Sequence, residues 1–140
     1  MQTADRLAGQ IGLSPSALAR RVRRLRSSGT IIGEVAILSD AIIAGGSSEA
    51  LRTVMQIKLQ RHSLDVVDAF RRTLVQSPFV QICLEVSGDY DIMVLAVFPS
   101  MDDFNRFADD VIASAAVVLR YETSFVKKRL KMSLALPLVD

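Results

Sequence analysis

Apolar residues recur along this chain with two different periods, and the place where the period changes divides it. Leu7, Ala8 and Ile11 fall on one side of a short helix over residues 4–11, which Gly12 ends. Ser14 followed by Pro15 starts another, because serine caps free N–H groups and proline at the first helical position has no N–H to leave unpaired. Leu18, Val22 and Leu25 then repeat at four and three residues, a stripe that would face the first helix, and Gly29 supplies the stop. Thr30 to Leu38, β-branched and apolar around Gly33, predicts a small hairpin or strand beside the helices, a wing. Composition shifts to Ala, Gly and Ser after Ser39, with Gly45-Gly46-Ser47-Ser48 at the centre of a stretch expected to be flexible. The expected organisation is a helical domain over 1–38, a linker over 39–50 and a second domain over 51–140.

In that second domain Thr53, Met55, Ile57 and Leu59 alternate with other residues, as a half-buried strand requires. Ser63 is placed to cap a helix carrying Leu64, Val67, Phe70 and Leu74, with Pro78 past its end. Val80, Ile82, Leu84 and Val86 alternate with Gln81, Cys83, Glu85 and Ser87 in a second strand. Ile92 to Phe98 is apolar throughout and reads as a central strand. Ser100 opens a second helix, with Asp103 completing a capping box and Phe104, Phe107, Ala108 and Val111 as the buried stripe. Val117 to Val126 is a long strand, and Leu130 to Leu138 adds an extended segment. The fold class is α+β, a winged helix-turn-helix joined to a ferredoxin-like βαββαβ unit with both helices on one face of an antiparallel sheet.

Charge sharpens this division. The chain has 17 Lys and Arg against 15 Asp and Glu, yet six arginines face only Asp5 and Glu34 in residues 1–38, while the remainder is mildly acidic. A locally basic module suits a polyanion, since Lys and Arg displace the counterions condensed on phosphates. The single cysteine, Cys83, cannot form an internal disulfide, which points to a reducing cytoplasm. The apolar run Val35–Ala44 is too short to span a bilayer, so no membrane is expected as a partner.

The most informative constellation is Ala8, Gly12 and Leu18 with the Ser14-Pro15 start. A small residue lets two helices approach, glycine makes the turn, and an apolar residue locks the pair, which is the helix-turn-helix frame. Ser14, Ser16, Ala17 and Arg20 sit at the start of its second helix, where side chains reach base edges; Arg21, Arg23 and Arg24 suit phosphates, or one of them an internal ion pair. The alternative for such a run is a solvated basic face. Gly88-Asp89-Tyr90-Asp91, between two strands, has two readings: a set of turn formers, or a turn whose amides and carboxylates hold the zwitterionic end of an amino acid. Thr123 and Ser124 either join that site or are strand-favoured polar residues. Neither a catalytic set, a metal cluster nor a glycine-rich phosphate loop is visible; His62 reads as a surface residue, Cys83 as a buried one, and no cofactor is expected.

With these stretches in place, the chain resembles the leucine-responsive and asparagine regulator (Lrp/AsnC) family over nearly its full length. The matching residues are Leu7-Ala8, Ile11 to Ser16, Arg21 to Leu25 and Gly29 to Gly33 in the first domain, and Val86 to Asp91, Glu122 to Val126 and Leu134 to Leu138 in the second. The resemblance implies a DNA-binding transcription regulator, not an enzyme, that forms homodimers through the sheets and higher assemblies of dimers. It further implies an effector, commonly an amino acid, at Gly88, Asp89, Tyr90 and Asp91, with Thr123 and Ser124 as further contacts. Two departures stand out. The chain starts directly at the equivalent of the family's second helix, so the first helix of the three-helix core is missing, and the linker is richer in Gly and Ser. A truncated member that binds metabolites and modulates full-length relatives without touching DNA is the alternative, and a small enzyme on the same βαββαβ plan is a third.

Overall fold

The computed structural model describes residues 4–36, 42, 50–131 and 133. The chain divides into two compact units, Met1–Leu38 and Ser39–Asp140. In the first, helix α1 spans Ala4–Gln10 and helix α2 spans Pro15–Ser27. Gly12 lies between them at φ +67°, a left-handed conformation that costs glycine little. Ser14 occupies the N-cap of α2 and its Oγ accepts the Ala17 N–H at 3.2 Å. The pair is locked by Ala8 and Leu18, both buried; Val22 and Leu25 are half-buried, whereas Leu7 and Ile11 remain 36% and 50% exposed. Among the described residues the expected α1 stripe is thus covered only at Ala8, since two short helices offer too little surface to cover two larger side chains.

The wing departs from expectation. Residues 31–36 join no ladder among the described residues, and Ile32 is 97% exposed. An extended segment becomes a strand only when its N–H and C=O groups find a neighbour, and here the Ile31 N–H is used to close the end of α2 on Leu25. Residues 37 and 38, the linker apart from Ile42 and Ala50, and most of the expected terminal segment lie outside the described residues.

The second unit follows βαββαβ: β1 Leu51–Leu59, α3 Leu64–Gln76, β2 Val80–Glu85, β3 Ile92–Phe98, α4 Met101–Phe107 and β4 Val118–Phe125. The sheet order is β2-β3-β1-β4 with every pairing antiparallel, so β3 and β1 are central. Met55, Ile57, Ile92, Val94, Ala96 and Phe98 from the helix-facing side of these strands join Phe70 and Leu74 of α3 and Phe107 of α4 in one core. Burial of this apolar area holds the unit together. The opposite face presents Val54, Leu95, Met93 and Leu84, half-buried or exposed, beside the polar β4 residues Arg120, Glu122 and Ser124.

Three local expectations change. Ser63 sits at the N-cap of α3 without a side-chain cap bond, and Leu64, expected on the buried face, is 77% exposed. A register shift between Val80 and Ile82 breaks the alternation of β2, so Cys83 packs with the core while Leu84 turns to the open face. Past α4 the helix widens into a π-helical turn over Ala108–Ala113, which buries Ile112 along with Phe107 and Ala108.

Candidate DNA and effector sites

α2 is amphipathic by construction. At about 100° per residue, Val22 and Leu25 stay within roughly 40° of Leu18, whereas Ser16, Arg20, Arg23 and Arg24 fall on the opposite half. All four of these are exposed. Arg20, Arg21, Arg23 and Arg24 have no ion pair among the described residues; Arg26, by contrast, is tied to Glu34. Leu13, Ala17, Arg20, Arg21 and Arg24 line one shallow depression. The Ser14 and Ser16 hydroxyls lie 3.2 Å apart at the start of the helix. Six of the seven residues singled out in the first unit therefore share one helix, and the seventh, Ser14, caps it and is committed in part to that bond.

The turn between β2 and β3 is anchored at one end and open at the other. The Asp91 N–H donates to Ile57 O at 3.0 Å, and its carbonyl accepts from the Val86 N–H at 2.9 Å. Both carboxylate oxygens of Asp91 are used as well: Oδ2 accepts the Leu59 N–H at 2.8 Å and Oδ1 accepts from Lys58 Nζ at 3.3 Å. Tyr90 lies against β4, its ring 4.9 Å from the Arg120 guanidinium carbon, and interaction with the nearby Glu122 carboxylate, aided by burial, raises the phenol above its usual pKa. Ser87, Gly88 and Asp89 are exposed, and the amides of residues 87–90 make no hydrogen bond within the chain among the described residues. Gly88 adopts φ +141°, a conformation other residues rarely take.

Thr123 and Ser124 do not act as a pair. Strand alternation sends them to opposite faces: Thr123, opposite Met55, has its Oγ1 buried without a partner under the helices, while Ser124, opposite Val54, is exposed on the open face. The strand pattern could have revealed this, since adjacent strand residues never share a face. Tyr90's neighbours Arg120 and Glu122 are the residues that sequence reasoning missed, because only pairing of β1 with β4 brings them beside the turn. His62 contacts the Ala116 carbonyl through Nε2 at 2.9 Å, and burial raises the pKa of Cys83; neither has a catalytic neighbour among the described residues.

Comparison with known proteins decides the family. Residues 52–136 match the family model for the Lrp/AsnC ligand binding domain, and residues 2–32 match a model for winged helix-turn-helix DNA-binding. The chain belongs to the Lrp/AsnC family. It is 28% identical over 127 residues to the leucine-responsive regulatory protein of Escherichia coli, covering 91% of this chain and 75% of that one. It is 30% identical over 129 residues to the transcriptional regulatory protein DoeX of Halomonas elongata, covering 92% and 79%. Among solved structures, a Neisseria meningitidis transcriptional regulator in complex with L-Met superposes with a TM-score of 0.85 at 27% identity, over 97% of this chain and 85% of that one. As an Lrp/AsnC member this chain is a DNA-binding transcription regulator, and the reading as a modulator that never touches DNA is not favoured. The matched relatives are transcription regulators rather than enzymes, and no described helix is long and apolar enough to cross a membrane.

Proposed function

We propose that residues 1–38 read an operator through α2 while residues 51–140, joined by the segment 39–50, bind an amino acid and assemble the protein in the cytoplasm. The observation that carries the first half is the exposed surface of α2, where Arg20, Arg23 and Arg24 on the outer face and Arg21 on its flank stand exposed and unpaired among the described residues. Ser14, Ser16, Ala17 and Arg20 enter the major groove from the start of the helix, and Arg21, Arg23 and Arg24 hold phosphates. Two copies related by a two-fold axis, packed through the apolar open face around Val54 and Leu95, present two such helices to the half-sites of a near-palindromic operator. Pairs of dimers assemble further.

The effector occupies the rim of the β2–β3 turn. The unbonded amides of residues 87–90 donate to its carboxylate, and the exposed Asp89 carboxylate accepts from its ammonium group. Asp91 serves as a positioning residue, since both of its oxygens already hold the turn. Ser124 contributes from the open face; Thr123 contributes only to the packing beneath it. L-methionine is the first ligand to test, because the Neisseria relative was solved with it.

A thermal-shift screen against the amino acids, methionine first, tests the effector half: a ligand that binds only the folded protein raises the melting temperature, by mass action. A screen in which none moves it would remove the effector assignment. Fluorescence anisotropy with a duplex several helical turns long tests the DNA half, where Arg20→Gln with Arg24→Gln is expected to weaken binding and flatten its salt dependence.

A further inference from the structure

The cations of the second unit are sorted by whether a carboxylate holds them. Residues 39–140 hold eleven Lys and Arg against thirteen Asp and Glu, so the unit is acidic as a whole. Lys58 is paired with Asp91, Arg71 with Asp68 and Glu85, Arg106 with Asp103, and Arg120 with Glu122. Four of the eleven cations, Lys127, Lys128, Arg129 and Lys131, instead crowd into five residues directly after β4. All are exposed, and Lys127, Lys128 and Lys131 have no partner among the described residues. The start of the segment is fixed, because the Val126 N–H donates to Arg52 O on β1 at 2.9 Å. Like charges this close repel unless an external anion offsets them.

We infer that Lys127, Lys128 and Lys131 form a second contact to the DNA backbone, carried by the sheet unit and separate from α2. The inference rests on the DNA-binding function of the chain and adds to it a sequence-independent, phosphate-directed surface. The chemistry favours a polyanion: lysine offers a compact charge with rotatable donors, suited to single phosphate oxygens rather than to base edges.

The test uses the full chain and a labelled random-sequence duplex several helical turns long, titrated by anisotropy across a salt series. Each phosphate contact adds about 0.9 to the slope of log K against log salt. The variant carrying Lys127→Gln, Lys128→Gln and Lys131→Gln should lose up to about 2.7 of that slope, so that between roughly 50 and 200 mM salt the original chain loses about 40-fold more affinity than the variant does. Its melting temperature and sedimentation should not change. A control that removes two charges exposed elsewhere on the unit, Arg61→Gln with Arg72→Gln, should keep the full slope. An unchanged slope in the triple variant, alongside a reduced one in Arg20→Gln with Arg24→Gln, would overturn the inference while leaving DNA binding by α2 intact. Equal losses per charge removed in the triple variant and the Arg61, Arg72 control would overturn it in favour of a net-charge effect. A triple variant that keeps its slope but sediments differently would overturn it in favour of contact between copies, and a slope near zero in the original chain would remove both DNA surfaces.

Discussion

The Asp91 carboxylate accepts the Leu59 N–H at 2.8 Å and so completes the ladder between β1 and β3 with a side chain. β3 begins at Ile92, so the last β1 amide on that side has no main-chain acceptor to meet; the register of β1 also shifts at Lys58/Leu59. Asp91 therefore holds the β2–β3 turn in place rather than leaving both oxygens free for a ligand. Asp91→Ala is expected to destabilise the sheet unit by about 1–3 kcal/mol, and Asp91→Asn, which keeps an acceptor oxygen, by less. Urea denaturation measures both; equal stability of Asp91→Ala and the original chain would show that the bond contributes nothing.

Thr53 is fully buried on β1 and its Oγ1 has no hydrogen-bond partner. A buried hydroxyl left unpaired costs its desolvation energy, and valine has nearly the same shape without it. Thr53→Val should raise stability by about 1 kcal/mol, read as a higher melting temperature, while a fall would mean that the hydroxyl is bonded in solution.

Arg24 and Arg26 lie two residues apart on α2, but only Arg26 is neutralised by Glu34. Arg24→Gln should reduce the slope of log K against log salt for DNA by about 0.9, one phosphate contact. Arg26→Gln should leave it nearly unchanged. Equal effects of the two substitutions would show that the pairing with Glu34 opens when DNA binds.

Asp103 is held below its ordinary pKa of 3.8, chiefly by the Ser100 hydroxyl and then by Arg106. Because the folded value lies below the unfolded one, this stabilisation is complete above the ordinary carboxylate range and disappears as pH falls through the folded value. Melting temperature followed from neutral pH into that range should therefore drop less steeply in Asp103→Asn than in the original chain, and that variant should melt lower at neutral pH. Parallel profiles would remove Asp103 from the acid response.

Much of the site was legible in the sequence for local reasons. Ser14-Pro15, Gly12 and Leu18 act within a few residues of one another, so the helix-turn-helix frame needs no distant contact to be read. Alternation at Thr53, Met55 and Ile57 likewise announced one buried face, and all three are fully buried. The division of labour among the arginines was not legible, because it depends on Glu34 returning to Arg26 from the next segment.

By itself, then, the sequence determined the order of elements, the caps that start α2 and α4, and the placing of the arginines around one helix, since each follows from neighbours within a turn or a pleat. Tertiary structure alone decided which groups are spent. Five residues separate Phe107 from Ile112, which an α-helix would set about 140° apart, yet packing on the sheet widens the turn and buries both. In the same way, β1 supplies the amide that occupies Asp91, and β4 supplies the arginine and glutamate that hold Tyr90. These partners lie thirty or so residues away in sequence, and only the pairing of strands brings them together.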